Sequence, residues 1–230
     1  MLRKLARTRK IAFVLLTLIG LGCAVSGCAT DGENPFAAND NSSAEFQAGE
    51  NRPPTAKTLY AMARILDRKG QTSEAKYTLK RIIREYPDFL PAYNDLGEIQ
   101  MRETAIDQAI ETLSAGLRLA PNDPVLINNL GMCYLRKAEY EQAKHHFTKA
   151  AGIVPEDSRY RSNMAVALGM MGHYDESLAL FMQILPPADA YYNLGVVCEA
   201  KNDQQQAAKA FSQASALRAA AEEEAKAKKK

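Results

Sequence analysis

The residues able to do chemistry are few, and their spacing argues against catalysis. The chain has three histidines. His145 and His146 are adjacent, so on a helix their side chains point about 100° apart and cannot close on one metal as an i, i+4 pair does. His173 follows Gly172 in a stretch that reads as a turn. The four cysteines, Cys23, Cys28, Cys133 and Cys198, have no metal-ligand spacing. Acidic pairs such as Glu139 and Glu141 read as solvated helix surface. There is no glycine-rich phosphate loop and no nucleophile motif. The expectation is a chain that is not an enzyme, with no catalytic residue, metal site or cofactor.

The elements that carry these residues are helical. From Val125 to Pro155 the apolar and small residues Ile127, Leu130, Gly131 and Tyr134 fall at i, i+3, i+4 and i+7, one face of a helix. Ala143, Phe147 and Ala150 repeat the pattern after a polar turn, and Pro155 stops the second helix because it lacks the N–H that would continue it. A lone hairpin of this size cannot hide both apolar faces, so it requires neighbours of its own kind. Pro121 and Pro87 stand at successive 34-residue steps back from Pro155, and Leu96-Gly97 and Met62-Ala63 stand at the same steps back from Leu130-Gly131.

These residues resemble the tetratricopeptide repeat, which places a large apolar residue, a large/small pair, an aromatic or aliphatic residue, Ala, an aromatic, Ala and Pro at fixed places in 34 residues. The resemblance implies an all-α fold, a right-handed superhelical solenoid of about five helical hairpins over residues 56–89, 90–123, 124–157, 158–187 and 188–217, with a charged tail at 218–230. The third repeat matches at every place. Gln100 departs from the pattern in the second, which predicts poorer packing there. Arg161 and Ser177 depart from it in the fourth, which ends early at Leu185-Pro186-Pro187. Past Phe211 no proline stops the last helix, and Glu222 with Lys226 and Glu224 with Lys228 form i, i+4 pairs of favourable order near a tip expected to fray.

The first 27 residues read differently. Arg3, Lys4, Arg7, Arg9 and Lys10 precede an apolar run from Ile11 to Leu21, and small residues follow to Cys28, the layout of a secretory signal. The run is shorter than the roughly 20 residues of a membrane span. Val25-Ser26-Gly27-Cys28 resembles a bacterial lipobox, which implies cleavage before Cys28 and a diacylglyceryl group on its thiol. Cys23 is the rival, but Gly20-Leu21 before it fits worse. Removal of residues 1–27 takes away five basic residues and no acidic ones, moving the formal charge from +2 to −3. With the basic surplus goes the electrostatic case for nucleic acid. Residues 28–55, rich in Asn, Ser, Gly, Pro and acids, bury too little apolar surface to fold. They read as a tether that holds the repeats on the order of 30 Å from the lipid. In bacterial lipoproteins an Asp after the lipidated Cys signals inner-membrane retention. Ala29 stands there instead, which implies a periplasm-facing protein of the outer membrane.

Cys133 and Cys198 lie two repeats apart, roughly 20 Å on helix layers of about 8 to 10 Å, too far for a disulfide. They read as small buried apolar residues.

In the tetratricopeptide family the first helix of each hairpin lines a concave groove, and the residues between its packing positions meet the ligand. Carried over, this implies three ladders. Asn129, Asn163 and Asn193 each precede a large/small pair, and an amide both donates and accepts. Arg68, Arg102 and Arg136 recur near the end of the first helix, where the helix dipole alone also favours a cation. Met101, Met132, Leu135, Val166, Met170 and Val196 form an adaptable apolar strip or the packing between repeats. The partner so implied is a protein segment with apolar anchors and acidic residues. The lipobox and the short penultimate repeat ending in Leu-Pro-Pro also resemble Tad-type pilus assembly lipoproteins and the pilotins of type IV pili. That resemblance implies a scaffold for placing or assembling an outer-membrane secretin. The alternative is an accessory of an envelope enzyme complex in cell-wall or polysaccharide assembly, engaged through the convex face.

Overall fold

A computed structural model describes residues 53–228; the signal, the lipidation residue Cys28 and nearly all of the tether lie outside them. Among the described residues there are ten helices and no strand. Five hairpins follow one another: α1 (Ala56–Arg68) with α2 (Thr72–Glu85), α3 (Leu90–Arg102) with α4 (Ile106–Leu119), α5 (Pro124–Arg136) with α6 (Tyr140–Ile153), α7 (Ser158–Met171) with α8 (Tyr174–Ile184), and α9 (Pro187–Lys201) with α10 (Gln204–Ala227).

The same local chemistry recurs at each joint. Within the hairpins the chain turns through a left-handed residue, Gly70, Thr104, Ala138, Gly172 and Asn202, with φ between +62° and +101°. Three of the five are not glycine, a conformation that costs about 1 to 2 kcal/mol for a residue with a Cβ. Between hairpins, Pro87, Pro121 and Pro155 each stand two residues past the last residue of α2, α4 and α6. After Pro121 and Pro155 an aspartate caps the next helix, whereas Phe89 after Pro87 makes no side-chain cap bond. Asp123 accepts from the N–H groups of Val125 and Leu126 at 2.9 Å, with Pro124 at the first helical position, and Asp157 accepts from Arg159 N–H at 3.0 Å.

Each first helix packs on its own second helix and on the second helix of the hairpin before it. From α3 onward successive first helices also touch one another, whereas successive second helices do not pair among the described residues. First helices therefore form the inner layer, and second helices splay apart outside. Phe147 and Phe181 are fully buried, as are Ala75, Ala109, Ala143 and Ala150 on the second helices. The small half of each large/small pair has a steric reason: a Cβ on Gly131 would stand 2.7 Å from Phe147 Cε1. The ring lies on bare backbone.

The departures from the repeat pattern have local consequences. Ser177, where the pattern has Ala, is fully buried and donates from Oγ to the Ala165 carbonyl at 2.8 Å. Arg161 is half-buried and donates to the Pro155 carbonyl at 2.8 Å. Gln100 is 4% exposed and its Oε1 has no hydrogen-bond partner. Met62, the large residue of the first pair, is 53% exposed, with no earlier hairpin among the described residues against it. α8 has 11 residues against 14 in α2, α4 and α6. α10 runs on past the array as expected, but the pairs expected at its tip do not form. Arg218 instead reaches back to Asp189 at 2.9 Å and lies over the Tyr192 ring, while the glutamates and lysines beyond it stay exposed.

Candidate protein-binding face

The inner layer holds most of the residues whose positions imply recognition, and the structure sorts them into engaged and free. An asparagine relay crosses it. Asn129 donates from Nδ2 to Asn94 Oδ1 at 2.5 Å and to Glu98 Oε1 at 3.2 Å, and its own Oδ1 accepts from Asn128 at 3.2 Å. Asn163 then donates to Asn128 Oδ1 at 2.8 Å. The relay joins α3, α5 and α7. It stops there: Asn193 is half-buried on α9 and makes no side-chain hydrogen bond among the described residues. Asn94 and Asn128, which complete the relay, stand 34 residues apart, so the same periodicity marks them.

The arginine ladder splits as well. Each of Arg68, Arg102 and Arg136 is the last residue of its first helix. Arg136 is half-buried and donates from Nη1 to the Met101 carbonyl at 2.6 Å, closing the end of α3; its Nε has no partner, and burial pushes its pKa down. Arg102 pairs with Asp67 of α1. Arg68 is exposed and has no ion pair among the described residues.

The apolar strip is mostly core. Met101, Met132, Leu135, Val166 and Met170 are between 0% and 8% exposed, which leaves them little surface to offer a partner; only Val196 is half-buried. They fill the space between repeats.

Where α1 meets α3 the inner layer opens into a cavity of about 150 Å³, lined by Arg64, Asp67, Arg68, Asp95, Glu98 and Arg102 among others. Three cations face three carboxylates there, but the carboxylates are engaged. Asp67 holds Arg102, and Glu98 accepts from Asn94 at 3.2 Å as well as from Asn129. Asp95 accepts from Asn94 at 3.2 Å and faces Tyr60, whose pKa burial and that carboxylate push up to about 12. Arg64 lies over the Tyr60 ring, and neither it nor Arg68 forms an ion pair among the described residues. The site is thus a corner of mixed charge, with two arginines outside any ion pair, at the N-terminal end of a stapled wall.

No cluster of three or more His, Cys, Asp or Glu side chains that could hold a metal exists among the described residues. Cys133 and Cys198 are buried free thiols, their pKa values pushed by burial up to about 12 and about 11. His146 stacks on Tyr134 with centroids 5.2 Å apart, and burial lowers its pKa. No described helix is long and apolar enough to cross a membrane.

Models of the tetratricopeptide repeat match residues 68–130, 100–167 and 188–220, together more than half of the chain. The chain belongs to the tetratricopeptide-repeat family. The crystal structure of MamA protein is similar at 18% identity, covering 69% of this chain and 89% of that one, with a TM-score of 0.56. The structure of MamA from residue 41 to its end, from Desulfovibrio magneticus RS-1, is similar at 20% identity over 72% of this chain and 96% of that one, TM-score 0.59. YrrB, described as a TPR protein with an unusual peptide-binding site, is similar at 20% identity over 71% and 86%, TM-score 0.56. At these identities the likeness is one of fold. No curated protein matches the chain. A tetratricopeptide array of this kind is a scaffold for protein–protein contact, and here its inner face is held together across repeats by side-chain hydrogen bonds.

Proposed function

We propose that the chain is a non-enzymatic scaffold, tethered to the envelope by a lipid on Cys28, that captures an acidic segment of another envelope protein on its inner face. The observation that carries this is the pair Arg64 and Arg68, exposed beside the cavity between α1 and α3 and outside any ion pair among the described residues. An acidic side chain entering there meets two cations without displacing an existing ion pair. The peptide-binding site for which YrrB is described supports the same use of the fold. The lipobox and the Ala29 that follows Cys28 support an array that faces the periplasm from the outer membrane. The resemblance to Tad-type pilus lipoproteins and pilotins makes a secretin or another pilus component the partner of choice.

The test is co-purification from detergent-solubilised envelopes, with partners identified by mass. Arg64→Glu with Arg68→Glu is expected to lose the partner while keeping the helical signal of the wild type; full retention of the partner refutes capture on this face. Cys28→Ser is expected to move the protein from the membrane to the soluble fraction, and unchanged sedimentation refutes the anchor. A second reading, an accessory of an envelope enzyme complex engaged through the outer face, has one observation in its favour: a cleft between α2 and α4. Its signature is co-purification with glycan-assembling enzymes that survives the arginine changes.

A further inference from the structure

The outer face carries a vacancy that a neighbouring hairpin shows how to fill. α2 and α4 flank α3 around a cleft of about 310 Å³, lined by Ile83, Tyr93, Leu96 and Ala115, with Gln100 and Thr112 among the remaining residues. One repeat further on, 34 residues from Gln100 and Thr112, stand Tyr134 and His146. Their rings, on α5 and α6, stack at 5.2 Å with planes 5° apart at the positions that line the corresponding place between α4 and α6. The second hairpin has an amide and a hydroxyl where the third has two rings. The cleft is the space that those rings would occupy.

Its chemistry is specific. Gln100 is 96% removed from solvent, yet its Oε1 accepts no hydrogen bond, and a buried acceptor left open is a cost that an incoming donor removes. Lys80 and Glu111 stand exposed on opposite banks, on α2 and α4, with no ion pair among the described residues. An occupant must therefore bring a flat apolar ring, a donor on that ring, and charges of both signs around it. We infer that the cleft between α2 and α4 is a docking site for a tyrosine side chain of a partner protein, the ring taking the place that Tyr134 fills in the next hairpin and the hydroxyl donating to Gln100. This surface is separate from the inner-face arginines, so the two readings fail independently.

The test uses the full chain with labelled Ile, Leu and Ala methyl groups, titrated with p-cresol and with toluene and followed by NMR. Saturable shifts at Ile83, Leu96 and Ala115 are expected with p-cresol, and binding about three- to tenfold weaker with toluene, the worth of one net hydrogen bond. Gln100→Tyr with Thr112→His, which installs the pair of the third hairpin, should abolish the shifts. Gln100→Leu, which keeps the shape and removes the acceptor, should erase the preference between the probes. Equal affinity for p-cresol and toluene in the wild type, or shifts that persist in the double variant, overturn the proposal. Shifts that appear only after Phe36 and Phe46 are changed to Ser would assign the cleft to the chain's own N-terminal segment, and concentration-dependent shifts without probe would assign it to a second copy. Either of those results also overturns it.

Discussion

Replacing Asn129 by Ala tests whether the inner-face asparagines staple the array or wait for a ligand. Asn129 is 8% exposed and donates to Asn94 and to Glu98. A neutral hydrogen bond contributes about 0.5 to 1.5 kcal/mol net, and one to a charged acceptor about 1.5 to 3 kcal/mol. Glu98 is exposed, so water takes over much of the second contribution. The expected loss is about 1 to 2 kcal/mol, a fall of about 0.5 to 1 M in the urea midpoint at a slope of about 2 kcal/mol/M. Asn193→Ala serves as the control, because Asn193 has no side-chain hydrogen bond among the described residues, and it should stay within about 0.5 kcal/mol of the wild type. Asn94→Ala alone and combined with Asn129→Ala closes a double-mutant cycle, with an expected coupling of about 0.5 to 1.5 kcal/mol. If Asn129→Ala melts with the wild type, or costs no more than Asn193→Ala, the relay does not hold the repeats together.

Three further outcomes follow from particular environments. Thr104 is β-branched and sits at φ +62°, so Thr104→Gly should raise stability by up to about 1 kcal/mol, the relief of left-handed strain less the added freedom of the unfolded chain; a lower urea midpoint contradicts this. Cys133 and Cys198 are buried thiols with pKa values of about 12 and 11, so at pH 8 iodoacetamide should label them only after urea is added, and labelling in the native state would place them at the surface. His146 has its pKa lowered chiefly by burial, with His145 and Lys149 adding to it. The unfolded chain then binds more protons, and stability should fall as pH drops below about 6.5. His146→Phe should flatten that part of the curve, and an unchanged slope refutes the assignment.

The periodic part of the fold was legible because it rests on one local rule repeated. The 34-residue step of Pro87, Pro121 and Pro155 marks where helices stop, and the large/small pairs mark where Phe147 and its counterparts press on backbone. The fate of polar residues was less legible. The step that marks Asn129 and Asn163 also marks Asn94 and Asn128, but whether two asparagines 35 residues apart bond each other depends on how closely α3, α5 and α7 approach. Arg136 and Arg68 occupy one repeat position and differ in use, because Arg136 has a first helix before it whose last-turn Met101 carbonyl takes its guanidinium, and Arg68 has no earlier helix among the described residues. The methionines at 101, 132 and 170 carry no sign in their type of whether they face the groove or the core. The vacancy beside Gln100 needed no structure to locate, since Gln100 and Thr112 align with Tyr134 and His146; its depth and its open acceptor did.

The short fourth hairpin shows how a one-turn deletion is absorbed. In the hairpins around it the glycine of the large/small pair faces its own second helix: Gly97 faces Leu113, Gly131 faces Phe147 and Gly195 faces Phe211. In the fourth, Ala165 stands at that place, and its carbonyl takes the Ser177 hydroxyl. The glycine has moved a turn later, to Gly169, where a Cβ would stand 2.6 Å from Val197 Cγ1 of α9. With α8 reduced to 11 residues and Pro187 starting α9 after only two residues, the chain returns to the inner layer early and α9 is drawn against α7. Close approach there replaces the asparagine link that joins the earlier first helices, and Asn193 is left without a bond. The last hairpin is therefore held to the array by packing and by the Tyr174 hydroxyl of α8, which donates to Asp203 at 2.9 Å, and not by the relay. It is also where α10 runs on past the core, so the C-terminal end of the inner face differs in chemistry from the arginine corner at its start.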